Sequence, residues 1–255
     1  MSTTEKRLPP MQQLRDRQGW LVKKDIDLSD ACIGIYRDEI CSVSHRWEDP
    51  VDPDPSGVQL STLREFLRAN PQIEWLWFDF WCMPQGRRSP AEQAEFDTML
   101  HRMNVLFLGT TVLILLDLSY MSRFWTQFEA WLGMQKATAN GLLPAKEEER
   151  RCQVRCLHNA PVEMRHSLIQ MWASRTPEQA YEVLGKPNVT VTNLTDKEWQ
   201  LTKLRTMNDT VKQCLACGFH SSADGEPVME EEEKASKAES EEPGLMDRPA
   251  DFSGR

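Results

Sequence analysis

The sequence has no apolar run long enough to cross a lipid bilayer. Its longest, VLFLGTTVLILL at residues 105–116, has twelve residues and includes a glycine and two threonines. A membrane-spanning helix needs about 20 apolar residues. Residues 1–19 are polar throughout and lack the apolar core of a secretory signal. We therefore expect a soluble cytoplasmic protein with no membrane partner.

The glycine-rich motifs that bind nucleotide phosphates are also missing. Neither Gly-x-Gly-x-x-Gly nor a Walker-type sequence occurs, so a hydride-transferring dehydrogenase or a nucleoside-triphosphatase has no support. The Gly-x-Ser-x-Gly motif of α/β-hydrolases is absent as well. These three enzyme classes are therefore disfavoured.

Basic charge is scarce in this chain. The formal net charge is -9, and residues 221–255 hold eleven acidic and four basic side chains. That segment therefore carries -7 and the rest of the chain only -2, which gives no electrostatic reason to expect a nucleic-acid partner. We predict an N-terminal extension at 1–35, an α/β domain at 36–218 and an acidic disordered tail at 219–255.

The seven cysteines are an odd number, spread over a long chain, and this fits reduced thiols better than a disulfide framework. Two clusters, Cys152, Cys156 and His158, and Cys214, Cys217 and His220, would be able to supply zinc ligands. The first two thiols lie on the same side of a predicted strand, facing the core, and the second cluster ends a helix. We therefore expect no metal site.

Short apolar runs alternate with helical patterns along the body of the chain. The strand-like runs lie at 39–44, 74–80, 111–117, 152–158 and 188–193. This alternation predicts an α/β fold, a doubly wound parallel five-stranded sheet with helices on both faces. Ligands of such sheets bind beyond the carboxyl ends of the strands, where the strand order reverses.

Polar and aromatic residues follow the first three predicted strands directly. They are SHRWED at 44–49, WCMPQGRR at 81–88 and the segment 117–125. A plain turn needs Gly, Asn, Pro or Asp rather than a run of His, Arg, Trp and Glu. Either these residues cap solvent-exposed loops, or they form the walls of a ligand pocket.

Taken in order, three segments resemble the motif boxes of a TIR (Toll/interleukin-1 receptor-like) domain. SVSHRWEDP at 42–50 is similar to the first box, and WLWFDFWCMPQGRR at 75–88 is similar to the second strand and its mobile loop. LILLDLSYMSRFWTQFEAWL at 113–132 is similar to the third strand and the helix after it. The SHRW sequence also resembles the related fungal heterokaryon-incompatibility domains, so the chain resembles a microbial or algal TIR-like subgroup.

The resemblance implies a flavodoxin-like strand order 2-1-3-4-5 for a TIR-like domain at 36–218. It also implies an NAD+ glycohydrolase in which Glu129 is the catalytic residue, NAD is the substrate rather than a cofactor, and activity requires a homo-oligomer. Cleaving the nicotinamide–ribose bond builds positive charge on the ribose, which a carboxylate stabilises. Trp47 stands where the usual first box has glycine, so this loop cannot have the same backbone as the family's.

The remaining candidate residues would bind the nucleotide. They are Ser44, His45, Arg46, Trp47, Asp79, Trp81, Arg87 and Trp125. The arginines suit a pyrophosphate and the tryptophans can stack on a base. Alternative roles remain open for each, namely a solvated helix residue for Glu129, a hydrogen-bonded structural side chain for His45 and strand-end caps for Asp79 and Asp117.

Two functions are consistent with these patterns. The first is the NAD+-cleaving enzyme. The second is a non-catalytic TIR-like scaffold that self-associates in a signalling pathway, because fold does not imply function. The position of Glu129, in a pocket shared with His45 and Trp81 or on a flat solvent-facing surface, is expected to separate them.

Overall fold

The computed structural model describes residues 9–218. The strands are β1 (Ile40–His45), β2 (Trp75–Trp77), β3 (Thr111–Leu116), β4 (Gln135–Thr138), β5 (Gly141–Pro144) and β6 (Cys152–Cys156). The helices are α1 (Met11–Arg15), α2 (Leu28–Ile33), α3 (Val58–Ala69), α4 (Asp79–Cys82), α5 (Pro90–Arg102), α6 (Asn104–Gly109), α7 (Phe124–Gly133), α8 (Val162–Trp172), α9 (Pro177–Leu184) and α10 (Leu194–Gly218). None of these helices is long and apolar enough to cross a membrane.

A four-stranded parallel sheet forms the centre of the fold, in the order β2-β1-β3-β6. Its register pairs Ser44 of β1 with Ile114 of β3, and Leu116 of β3 with Cys156 of β6. Every crossover between these strands contains at least one helix, as parallel pairing requires. The predicted α/β class with a parallel sheet is confirmed.

Helices cover both faces of this sheet. Cys41 and Val43 of β1 lie in one buried cluster with side chains of α3, including Leu63 and Phe66. The alternate residues of β3, Val112, Ile114 and Leu116, lie in the second cluster, which takes in α6, α7, α8, α9 and α10. This division follows from the two-residue period of a strand, which sends neighbouring side chains to opposite faces.

The predicted fifth strand at 188–193 is wrong. In the described residues this segment makes only a single bridge, between Thr190 and Arg123. Thr190 donates its N–H to the carbonyl of Ser122, and its own carbonyl accepts the N–H of Phe124, both at 2.8 Å. Its backbone hydrogen bonds therefore hold the start of α7 instead of extending the sheet. The five-stranded order 2-1-3-4-5 is not present in residues 9–218.

An antiparallel hairpin of β4 and β5 was not predicted. Its strands have four residues each, and Asn140–Gly141 at the turn is a strong hairpin signal. Gly141 has a φ of +100°, and a Cβ there would lie 2.0 Å from Oδ1 of Asn208 in α10. The hairpin is therefore packed against the last helix at a position that only glycine fits.

The end of α7 is held by the guanidinium of Arg151, just before β6. It donates to the carbonyls of Phe107 and Thr110 at the end of α6, to that of Leu132 at the end of α7 and to that of Gln135 at the start of β4. Helix ends leave carbonyls without intrahelical partners. One side chain thus satisfies three of them and joins the two helices, although desolvation lowers its pKa to about 10.

The N-terminal part of the described chain packs onto the domain. Leu14 of α1 lies in the cluster under α3, and α2 is capped by Asp27, whose side chain accepts the N–H groups of Ser29 and Asp30. The acidic tail predicted at 219–255 lies outside the described residues.

Candidate functional site

Glu129 lies near the carboxyl end of the sheet, on the buried helix α7. All residues of α7 except Trp125 are buried, because a helix that is apolar on all sides packs inside a domain. Ser44, the last but one residue of β1, points to the same face of the sheet and donates its hydroxyl hydrogen to Oε2 of Glu129 at 2.6 Å. Glu129 is only 7% exposed, so it is not the solvated helix residue that the sequence left open.

Tyr120 extends this polar group, and the sequence did not single it out. Its hydroxyl oxygen lies 2.5 Å from Oγ of Ser44 and donates to the carbonyl of Thr126 at 2.9 Å. The side chain is fully buried. Only its position in the segment after β3 hinted at this role, since a lone tyrosine has no motif of its own.

Burial controls the protonation of this group. It raises the pKa of Glu129 well above its ordinary value, and the charge of Asp79 acts in the same direction, while the hydrogen bond from Ser44 opposes both. Burial, followed by the charge of Glu129, likewise raises the pKa of Tyr120 well above its ordinary value. Burial therefore favours the neutral, protonated form of Glu129.

Asp79 forms a second polar group with His45, the last residue of β1, and with Trp47 in the loop after it. Its Oδ1 lies 2.8 Å from Nε2 of His45 and accepts the N–H of Phe80 at 2.6 Å, while its Oδ2 accepts the indole N–H of Trp47 at 2.9 Å. Burial would raise the pKa of Asp79, but the charge of His45 and these hydrogen bonds outweigh it, and the pKa is lowered. The carboxylate is thus satisfied by protein groups.

Ser44 and His45 point to opposite faces of the sheet, because they are neighbours in a strand. The ring of His45 stacks on Phe78 with centroids 4.1 Å apart, and Phe78 in turn contacts Trp81 at 4.8 Å. Phe78 and Trp81 belong to the cluster under α3, not to that around Glu129. The pocket shared by Glu129, His45 and Trp81 that the sequence suggested is therefore divided by the sheet.

Ion pairs join the loops that follow three of the strands. Nε of Arg46 donates to Oδ2 of Asp117 at 2.6 Å, which links the loops after β1 and β3. Nε2 of His158, after β6, lies 2.9 Å from Oε1 of Glu48. His158 has a φ of +51°, a left-handed conformation that is uncommon outside glycine.

The other candidates lie apart from these groups. Trp81 is buried and Trp125 is half-buried, edge-on to Phe124 at 5.5 Å. Arg87 is exposed, and no hydrogen bond or ion pair joins it to the described part of the chain. Its neighbour Arg88 donates to the carbonyl of Pro84 and lies over the ring of Phe96, which braces the loop.

Residues 9–218 contain no group of three or more His, Cys, Asp or Glu side chains arranged to hold a metal ion. His220 lies beyond that range. The described thiols that the sequence offered as ligands, those of Cys152, Cys156 and Cys214, are free cysteines.

No family model matches this chain, and no curated protein or solved structure shows significant similarity to it.

Proposed function

We propose that this protein is a TIR-like NAD+ glycohydrolase, which hydrolyses the nicotinamide–ribose bond. Water adds to the ribose carbon, nicotinamide leaves as a neutral base, and ADP-ribose and one proton are released. A cyclic product forms instead when an internal nucleophile replaces water. In this proposal NAD is the substrate, and no cofactor takes part.

The observation that carries this proposal is the position of Glu129. It lies on the helix after β3, beside the carboxyl end of a parallel sheet, and it is held by Ser44. In open α/β sheets this edge is where ligands bind. The resemblance of the motif order to a TIR domain implies a catalytic glutamate at this position. It also implies a flavodoxin-like sheet of five strands, one more than the parallel sheet described above.

A neutral Glu129 has to lose its proton before it stabilises a ribosyl cation. NAD+ carries a positive charge on its pyridinium ring, and a nearby opposite charge favours an ionised carboxyl. Substrate binding is therefore coupled to proton release from Glu129. The hydroxyl of Ser44 then donates to the carboxylate and keeps it in place, and the low exposure of the site strengthens its electrostatic effect.

The other predicted site residues have supporting roles in this proposal. His45, Trp47 and Asp79 hold one another, so they shape the loop after β1 rather than grip the nucleotide. Arg46 would bind the pyrophosphate only if its ion pair with Asp117 were broken. Exposed Arg87 is free to reach a phosphate from the loop after α4.

The test is nicotinamide release from NAD+, measured by chromatography with purified protein in dilute solution and clustered on beads. Clustering is included because TIR-like activity in this proposal arises in a cytoplasmic homo-oligomer. Glu129→Gln removes the ionisable group and keeps the shape, so turnover should vanish. Glu163→Gln, at an exposed glutamate in the first turn of α8, is the matched control and should keep full activity.

A second candidate is a TIR-like scaffold that self-associates in signalling without turnover. It is favoured by the way in which the strand-end residues bind one another, and by large apolar side chains exposed in the loops after β1 and β3 and at the start of α8. Val51 is 82% exposed, Leu118 is 64% exposed and Val162 is 56% exposed. If no nicotinamide is released under either condition by a folded protein that oligomerises, the scaffold proposal replaces the enzyme.

A further inference from the structure

A cavity of about 1590 Å³ lies beside the edge strand β2. Its walls come from residues 19–28, from β2, from the segment 98–108 and from the face of α10 near 203–211. The residues that line it, all within the described range, do not include Ser44 or Glu129. This space is larger than the roughly 300–1,000 Å³ of common small-molecule pockets, so it suits an elongated apolar ligand.

The walls are rich in two kinds of side chain that accommodate apolar ligands. The tryptophans are Trp20, Trp75, Trp77 and Trp81, and the methionines are Met11, Met99, Met103 and Met207. Tryptophan gives a large rigid surface. Methionine has a flexible, polarisable chain that fits irregular shapes. Together they form a surface suited to a hydrocarbon chain rather than to a polar molecule.

On the helical side of the cavity, two cations lack a countercharge. Lys203 donates from Nζ to the carbonyl of His101 and to Oδ1 of Asn104, the latter at 3.1 Å, and both acceptors are neutral. Burial and the charge of Arg102 lower the pKa of Lys203. Within residues 9–218, neither Lys203 nor Arg102 forms an ion pair with an acidic side chain. Arg102 is exposed and Lys203 is half-buried, so an anion at this position would offset the desolvation of Lys203 and the repulsion between the two cations.

Two further cations of the wall do have a countercharge. Arg15 forms an ion pair with Glu95 at 2.7 Å, and Lys24 forms one with Glu39. Lys23, on the opposite side, is exposed and forms no ion pair within residues 9–218, while at the helical side of the cavity the unmatched positive charge is that of Arg102 and Lys203. A ligand that satisfies the whole site has an apolar body and one anionic end.

We propose that this cavity binds a long-chain carboxylate, with its hydrocarbon chain between the tryptophan and methionine walls and its carboxylate at Arg102 and Lys203. This is a binding site separate from Glu129, and it does not depend on NAD+ cleavage. The same chemistry can come from a free fatty acid or from an anionic lipid in a bilayer, and the proposal commits to the free acid.

Binding is measured by the fluorescence of dansyl-undecanoate, kept below its micellar concentration, on the full chain. We expect saturable binding that palmitate displaces and that palmitate methyl ester displaces at least about tenfold less well, since an ester cannot pair with the cations. The double variant Arg102→Gln with Lys203→Gln should weaken binding of the free acid by a similar factor. Lys24→Gln, in the same wall, should change it less than about twofold because that cation is already paired.

Met207→Trp narrows the cavity from α10 and tests the site without touching a charge. It should weaken probe binding in a variant whose circular dichroism is unchanged. Equal displacement by the acid and its ester, or no saturable binding, overturns the proposal. Binding to vesicles of phosphatidylserine with none to the free acid also overturns it, in favour of a membrane surface.

Discussion

The protonation of Glu129 makes stability depend on pH in a definite direction. Burial raises its pKa in the folded protein well above the value in the unfolded chain. Below the unfolded pKa both states hold the proton, so the stabilising contribution is complete. As pH rises from there towards the folded pKa, the unfolded chain ionises while the folded protein does not, and this contribution is lost.

The size of this effect follows from proton linkage. Each pH unit in that window costs about 1.4 kcal/mol of the free energy of unfolding. In Glu129→Gln the position cannot ionise, so that loss is absent. Between about pH 5.5 and 6.5, the wild type should therefore lose about 1.4 kcal/mol relative to the Gln variant. The amide keeps an oxygen for the Ser44 hydroxyl, so this hydrogen bond is preserved.

The measurement is urea unfolding of both proteins at the two pH values, followed by circular dichroism. The difference in the free energy of unfolding between wild type and variant is taken at each pH, because the contributions of the other titrating groups then cancel. The free energy of unfolding must fall with urea concentration at the same rate in both proteins before their midpoints are compared. If the difference does not change with pH, Glu129 is ionised in the folded protein and the reasoning from burial is refuted.

Three further substitutions test other parts of the fold, each by urea unfolding. Asp79→Asn removes the carboxylate charge beside two ring N–H groups and should lower the free energy of unfolding by about 2–4 kcal/mol. Because the folded pKa of Asp79 is lowered, the stabilisation from its carboxylate is present above the unfolded pKa and is lost as pH falls through the folded pKa. Arg151→Leu leaves helix-end carbonyls unpaired and should cost about 3 kcal/mol or more, whereas an effect below about 1 kcal/mol would mean that water replaces the guanidinium. Gly141→Ala forces a Cβ against Asn208 at a positive φ and should cost about 1–3 kcal/mol, which the Asn208→Ala background should partly restore.

Local sequence patterns were sufficient to predict most strands of the parallel sheet. The apolar runs at 39–44, 111–117 and 152–158 correspond to β1, β3 and β6, because buried parallel strands read as continuous apolar segments. The run at 188–193 has the same composition, but its hydrogen bonds go to the start of α7. Composition alone does not tell which partner a short extended segment will find.

The candidate site was predictable only in part. The rule that ligands bind beyond strand ends pointed to Ser44, the resemblance to a TIR domain pointed to Glu129, and the structure brings these two side chains together. The same rule grouped His45 with Ser44, although the two-residue period of a strand separates them. Tyr120 and the pairing of Arg46 with Asp117 depend on contacts between distant segments, which no local pattern contains.

Helix α7 is held at both ends by segments that follow it in the chain. Backbone bonds from Thr190 hold its beginning, and Arg151 holds its end. A fragment that stops before residue 186 would contain every candidate catalytic side chain, yet it would lose the bonds at the start of the helix. The smallest piece of this protein in which Glu129 is correctly aligned therefore extends well beyond the motif region at 39–135, and shorter expression fragments would give misleading negative assays.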